Sequence, residues 1–356
     1  MKTIVTISGI RPDFIRMSEI FKKLDQHFNH ILIHTGQHYD KLLSDVFFEE
    51  LNIRKPDYIL NTGKESSNHF EQLSYLSTAI PKLFKEQNIN PNLIIFLGDA
   101  NTVSASFPLK KEGYKICHIE AGMRSFDKRM LEEINRTVCD HCSDILFVYC
   151  DKYKEHLANE NIVNNVFVVG NTIVEPCMKF RSGIMQIPKR NDIILVDIHR
   201  PENFNYTNRL IKIINFVNLC GVKYNLPVKL LYFKRLRDIL DKNNISLGVI
   251  EMIDLMPFKA YLDTAYHCKF LISDSGSNEE LGLFDVPVII PRDFTERPQI
   301  YEHNCAIKYD VENANNEEIF QWLDDYENGI IKPDPSWLGV GNTSELIIKH
   351  LQEYLC

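Results

Sequence analysis

Four side chains able to carry protons stand out by type and position: Asp99, Glu120, Glu132 and His199. The first three fall near loops of the first half of the chain, and His199 falls early in the second. Carboxylates that face one another raise each other's pKa and can then divide acid and base duties. A histidine opposite adds a group that titrates near neutrality. Taken singly, each has a plainer reading. Glu132 and Glu133 fit the solvated start of a helix, and His199 fits a strand-end cap or a core histidine. Asp140, His141 and Asp144 read as helix-end structure.

A second set of residues suits an anion. Asp274-Ser275-Gly276-Ser277-Asn278-Glu279-Glu280 follows an apolar run and is predicted to open a helix. Ser275 and Gly276 would place a hydroxyl and backbone N–H groups at a helix N-terminus, and Glu280 could accept hydrogen bonds from ribose hydroxyls. The alternative is a plain N-cap with carboxylates favouring the helix dipole. Arg11 ends another apolar run, with Pro12 suited to the first position of a helix. It could grip a phosphate bidentately or form a surface ion pair. The segment 291–298 holds Arg292 and Arg297 between prolines. It could sandwich a base, brace the phosphate loop, or be a tight turn with its own ion pairs. No G-x-G-x-x-G follows the first strand, which weakens a dinucleotide reading.

The elements that must position these groups alternate along the chain. Apolar, β-branched runs are predicted as strands at 3–8, 30–35, 93–97, 115–119, 145–149 and 166–169. A second series is predicted at 193–196, 228–232, 248–252, 270–273 and 286–290. Continuous apolar strands separated by helices imply parallel sheets covered on both faces. Two series predict two doubly wound α/β domains: 1–170 with the last helix 343–356, and 171–342. Ligands bind beyond the carboxyl ends of such strands. Six of these ends carry charged or polar residues, five of them with glycine, which predicts a polar cleft between the domains.

The chain has 356 residues, enough for two cores at roughly 150 residues per domain. Its net charge of −8 argues against a dedicated nucleic-acid binder, which needs a basic face. No apolar run approaches the ~18 residues of a membrane helix, and the first ten residues read as a buried strand, not a signal peptide. The nine cysteines have no framework spacing; Cys139 and Cys142 form the single C-x-x-C. Reduced thiols in a cytoplasmic protein are the expectation, with no metal.

Taken together, these residues resemble a known family. The motifs are G-I-R-P-D at Gly9, T-G-Q-H-Y-D at Thr35, G-D at Gly98, H-I-E-A-G-M-R-S-F-D at His118 and E-E-I-N-R at Glu132. Further along are G-N-T at Gly170, H-R-P-E-N at His199, S-D-S-G at Ser273, R-D-x-T-E-R-P at Arg292 and G-x-G-N-T-S at Gly339. In order and spacing they resemble the non-hydrolysing UDP-N-acetylglucosamine 2-epimerases. The resemblance implies a glycosyltransferase B-type fold, with two Rossmann-like domains facing a cleft and a last helix crossing back to the first. It also implies a homodimer. The implied reaction inverts C2 of a UDP-linked 2-acetamido sugar without NAD or metal, by anti elimination of UDP to a glycal and re-addition. Its acid/base residues would be Asp99, Glu120, Glu132 and His199. Its UDP or substrate contacts would be Arg11, Arg16, Gln37, His38, Arg124, Arg136, Arg200, Asn203, Ser275, Gly276, Glu280, Arg292 and Arg297.

The chain departs from the family's pattern at Ile10, Asp13, Arg16 and Leu131, and in the shortened S-G-S-N-E-E. The stretch Leu230 to Arg235 lacks a histidine that helps bacterial members hold a second, regulatory UDP-sugar. Other readings left open by the motifs are a 2-epimerase of a UDP-6-deoxy-L-hexosamine, a hydrolysing epimerase, a catalytically inactive sugar-nucleotide binder and a B-type glycosyltransferase.

Overall fold

A computed structural model describes residues 1–36, 45–66, 68–276 and 278–356. The chain divides into two compact units: Met1–Pro176 with Leu338–Cys356, and Cys177–Trp337.

The first unit is built on a seven-stranded, all-parallel sheet of order β3-β2-β1-β4-β5-β6-β7. Its strands are β1 (Thr3–Ser8), β2 (Asn29–His34), β3 (Tyr58–Ile59), β4 (Leu93–Leu97), β5 (Ile116–Ile119), β6 (Ile145–Val148) and β7 (Val166–Val168). Every residue of the central run Leu-Ile-Ile-Phe-Leu in β4 is buried, as a strand covered on both faces requires. Helix Arg11–His27 starts with Pro12 in its first turn and buries Phe14, Met17, Phe21 and Leu24, one stripe at helical spacing. The last helix, Thr343–Leu355, lies along it and buries Ile347, Ile348, Leu351 and Leu355. Gly170 has φ +80, and a Cβ there would stand 3.1 Å from Thr343 Oγ1 and 3.3 Å from the Leu338 carbonyl. Only glycine gives this close passage of the returning chain.

The second unit carries a six-stranded, all-parallel sheet of order β10-β9-β8-β11-β12-β13. Its strands are β8 (Ile193–Asp197), β9 (Val228–Leu231), β10 (Ile250–Ile253), β11 (Cys268–Ser273), β12 (Val288–Ile290) and β13 (Ala306–Lys308). Ile194, Val196, Phe270 and Ile272 of its centre pack with Leu210, Ile213 and Val217 of helix Thr207–Tyr224.

Both units are Rossmann-like, as the sequence predicts. Two strands escape the sequence pattern: β3 and β13 are edge strands of two and three residues, too short to show a period. In each sheet the strand order reverses once, between β1 and β4 and between β8 and β11. Helices leave the sheet to opposite sides at such a point, so the strand ends there open a crevice. No helix among the described residues is long and apolar enough to cross a membrane.

Candidate active site

At the first switch point, β1 runs into Gly9-Ile10 and the helix that carries Asp13 and Arg16. The neighbouring strands β4, β5 and β6 run into Gly98-Asp99, Glu120 and Tyr149. Backbone bonds Gly98 N–H to Ile119 O and Ala121 N–H to Phe147 O keep these ends level, at 3.0 and 3.1 Å. Glu120 is buried, with φ +70. A glutamate in the left-handed region is strained, and such strain collects where a side chain must be aimed. Glu120 Oε2 accepts the Tyr149 hydroxyl at 2.8 Å and lies 3.4 Å from Arg16 Nη1. Tyr149 in turn meets the Thr172 hydroxyl at 2.5 Å, and Arg16 donates to Asn171 Oδ1 at 3.2 Å. The Gly170-Asn171-Thr172 motif thus supports Glu120 from below.

Asp99 is held differently. Fully buried Arg136 donates Nη2 to Asp99 and Nη1 to Glu133 Oε2, the latter at 3.0 Å. Glu133 also accepts from the Ser125 and Phe126 amides at 2.8 and 3.0 Å, fixing the loop after β5. The side chain of Glu132, its half-buried neighbour in the first turn of helix Leu131–Cys142, forms no hydrogen bond among the described residues. The doublet therefore splits into a brace and an available acid.

Asp13 is the group that the spacing of charges did not single out. Burial lifts its carboxyl to about 7, the Gly9 and Ile10 amides pull it back, and the charges of Glu120 and Asp99 push it up again. His118 is a second. Its Nδ1 meets Asp140 Oδ1 at 2.6 Å and its Nε2 meets the Gly98 carbonyl at 2.7 Å. Both partners are acceptors, so both ring nitrogens carry protons and the ring is a buried cation. Burial opposes that charge, but neighbouring Cys139 and Asp140 raise the imidazole well above its usual range. Asp140, in the last turn of helix Leu131–Cys142, is thus also a core carboxylate, which binds the Gly122 amide at 3.1 Å and Arg124 Nη1 at 2.7 Å. Arg124 spends its other nitrogens on Glu160.

At the second switch point, β8 ends at Asp197 and leads to His199, while β11 leads to Asp274-Ser275-Gly276. Asp274 is fully buried and accepts the amides of His199 and Arg200 at 3.0 and 3.1 Å. It also takes Asn203 Nδ2 at 2.9 Å, and Asn203 reaches on to the Pro291 carbonyl at 2.9 Å. Asn203 so ties three strand ends together. Among the described residues, Asp197, His199 and Asp274 bring one donor atom each within 4.8 Å. These atoms already serve one another and backbone amides, which makes the trio a hydrogen-bonded cluster.

The expected α-helix after Ser275 is a six-residue 3₁₀ segment, Glu279–Phe284. A Cβ on Gly276 would stand 3.0 Å from Glu296 Oε1 and 3.2 Å from Arg200 Nη2. The 291–298 loop braces this turn through a buried chain of alternating charge. Arg292 Nη2 donates to Glu296 Oε2 at 3.2 Å, and Arg297 pairs with Glu296 and with Glu279 Oε2, the latter at 2.6 Å. Glu280 is buried, and its charge adds to the burial that lifts the Tyr261 phenol.

The structure therefore gathers Asp99, Glu120, Arg16 and Arg136 at one switch point and His199, Arg200, Asn203, Ser275 and Gly276 at the other. Arg11 opens its helix half-buried, its guanidinium 5.5 Å from the centre of the Phe47 ring. Gln37 and His38 lie outside the described residues. Arg124, Arg292 and Arg297 are engaged in buried ion pairs.

Two Rossmann-like units and a last helix returned to the first define a chain of the glycosyltransferase B type. The model of the family described as UDP-N-acetylglucosamine 2-epimerase matches residues 22–352, and the chain belongs to that family. It is 32% identical to the UDP-N-acetylglucosamine 2-epimerase of Methanococcus maripaludis, over 98% of both chains. It is 31% identical to the UDP-2,3-diacetamido-2,3-dideoxy-D-glucuronate 2-epimerase of Pseudomonas aeruginosa, over 82% of this chain and 84% of that one. The crystal structure of Methanocaldococcus jannaschii UDP-GlcNAc 2-epimerase in complex with UDP-GlcNAc and UDP superposes with a TM-score of 0.86. The two are 30% identical, and the match covers 99% of this chain and 100% of that one.

Proposed function

We propose that this chain is a non-hydrolysing epimerase that interconverts UDP-N-acetylglucosamine and UDP-N-acetylmannosamine. The observation that carries the reading is the pair of separately held carboxylates in the first unit, Asp99 on Arg136 and Glu120 on Tyr149 and Arg16. The C2 proton of such a sugar is weakly acidic, so a base alone is slow. Anti elimination couples its removal to departure of UDP and leaves a 2-acetamidoglycal. UDP then adds back while a proton returns to the opposite face. Two acid/base groups fixed in different places suit removal on one face and return on the other. Asp99, Glu120 and Glu132 take these roles. His199, Arg11, Arg200, Ser275 and Gly276 bind the diphosphate and stabilise the charge that develops on it. Glu280 accepts from the ribose. Arg136, Arg124, Asn203, Arg292 and Arg297 act by holding these groups.

Elimination and re-addition move protons and UDP but no hydride, so the proposed route calls for no NAD, and it assigns the charge on the leaving diphosphate to cationic side chains and backbone N–H groups rather than to a metal. The nine cysteines, all free thiols and seven of them buried, suit a cytoplasmic protein. A homodimer is supported by exposed Leu131, Ile134 and Val138, one face of a helix in the first unit, with Phe107 exposed on the adjacent helix.

The test is proton NMR of the purified protein with UDP-N-acetylglucosamine in deuterated water. Deuterium entering C2 while the UDP-N-acetylmannosamine signals grow is the expected result. Free sugar and UDP as the end products would instead make the enzyme a hydrolase, and no exchange at all would sink the reading.

A further inference from the structure

We propose that Asp197 is the positioning residue for His199: its carboxylate takes the Nδ1 side of the imidazole and leaves Nε2 as the atom His199 offers to a ligand. Successive side chains of an extended segment alternate in direction, so Asp197 at the end of β8 and His199 two residues on fall on the same side. Asp197 Oδ1 lies 2.8 Å from His199 Nδ1. The Asp197 side chain is only 10% exposed, and no other hydrogen-bond donor reaches its carboxylate among the described residues. A carboxylate accepts and never donates, so this contact requires the proton to sit on Nδ1. That fixes the tautomer and the plane of the ring.

The two aspartates at this switch point have separate tasks. Asp274 lies 3.6 Å from the same Nδ1, but its oxygens are occupied by the His199 and Arg200 amides and by Asn203. Asp274 therefore holds the backbone of the loop, and Asp197 holds the ring. Among the described residues, the other groups facing His199 are the cationic side chain of Arg200 and the neutral ring of Phe233, whose centroid is 5.0 Å away. Burial works against a charge on His199. Asp197 and then Asp274 outweigh it, with Arg200 opposing, and the imidazole titrates above its usual value. His199 then presents a charged Nε2–H donor, suited to an oxyanion such as the leaving diphosphate. This last step rests on the function proposed above; the contact between Asp197 and His199 does not.

The test is long-range ¹H–¹⁵N NMR of the histidine rings in the full-length protein, with His199→Gln for assignment and Asp197→Asn as the probe. The expected result in the wild type is a proton on Nδ1 through the titration. In the Asn variant the His199 midpoint should fall by about one pH unit, a tenfold change in proton affinity. Calorimetry should then show UDP binding weakened severalfold at pH 8 and largely recovered at pH 6, with Asp197→Glu in between. A wild-type His199 protonated only on Nε2 overturns the proposal, and that result does not depend on whether any variant folds. An unmoved midpoint in folded Asp197→Asn overturns it as well. A wild type with the expected NMR signature but no UDP binding or turnover supports the Asp197 assignment and overturns the functional reading instead.

Discussion

Asp13 holds a proton to near neutrality because the fold buries it beside two other acids. Its folded pKa, about 7, exceeds the ordinary 3.8. The folded state therefore binds that proton more tightly than the unfolded chain does. The contribution to stability is fully present below the ordinary value and is lost as pH rises through about 7. Asp13→Asn keeps an acceptor for the Gly9 and Ile10 amides and removes the titration. Denaturant unfolding across that range should show a flatter pH dependence, with a gain on the order of 1–3 kcal/mol at the alkaline end. An unchanged slope would place the proton elsewhere. Tyr149 makes a different prediction. Tyr149→Phe removes the hydroxyl that Glu120 accepts and should lower turnover roughly 10- to 100-fold with little change in KM. Steady-state kinetics separate this from lost binding, which would raise KM instead. Asp99, Glu120 and His199 are legible in the sequence because each is a polar residue just past an apolar run. Asp13 and Tyr149 are not, because their roles depend on what the adjacent strands bring beside them.

The element scale explains the loops. An aspartate in the last turn of a helix is unfavourable to the helix dipole, yet Asp140 sits there in helix Leu131–Cys142. It is retained because it neutralises two buried cations, His118 and Arg124, and His118 in turn holds the carbonyl next to Asp99. Asp140→Asn leaves those charges without a counterion and should cost about 3–5 kcal/mol in chemical denaturation. A loss under ~1 kcal/mol would mean that the pair is not ionised. Most strands were legible because buried parallel strands are continuous apolar runs. The 3₁₀ segment after Ser275 was not, since S-G-S-N-E-E reads equally as the first turn of an α-helix. The short edge strands β3 and β13 carry too few residues to differ from loop.

At the scale of the whole molecule, the two-domain Rossmann-like organisation follows from counting apolar runs, but surfaces left for other chains do not. Leu131, Ile134 and Val138 fall at i, i+3 and i+7, the same spacing that elsewhere marks a core face; only the structure shows them exposed. Ile134→Asp should convert the proposed dimer to a monomer in size-exclusion chromatography with light scattering. A dimer that survives would put the contact on another face. The return of the last helix has a consequence during synthesis. Residues 177–337 form one contiguous unit, whereas the first unit is completed only by residues 338–356. On the ribosome, the second unit can therefore finish folding while the first still lacks the face of Ile347, Ile348, Leu351 and Leu355 that its last helix brings. Chaperone demand should then fall on the half of the protein that is made first.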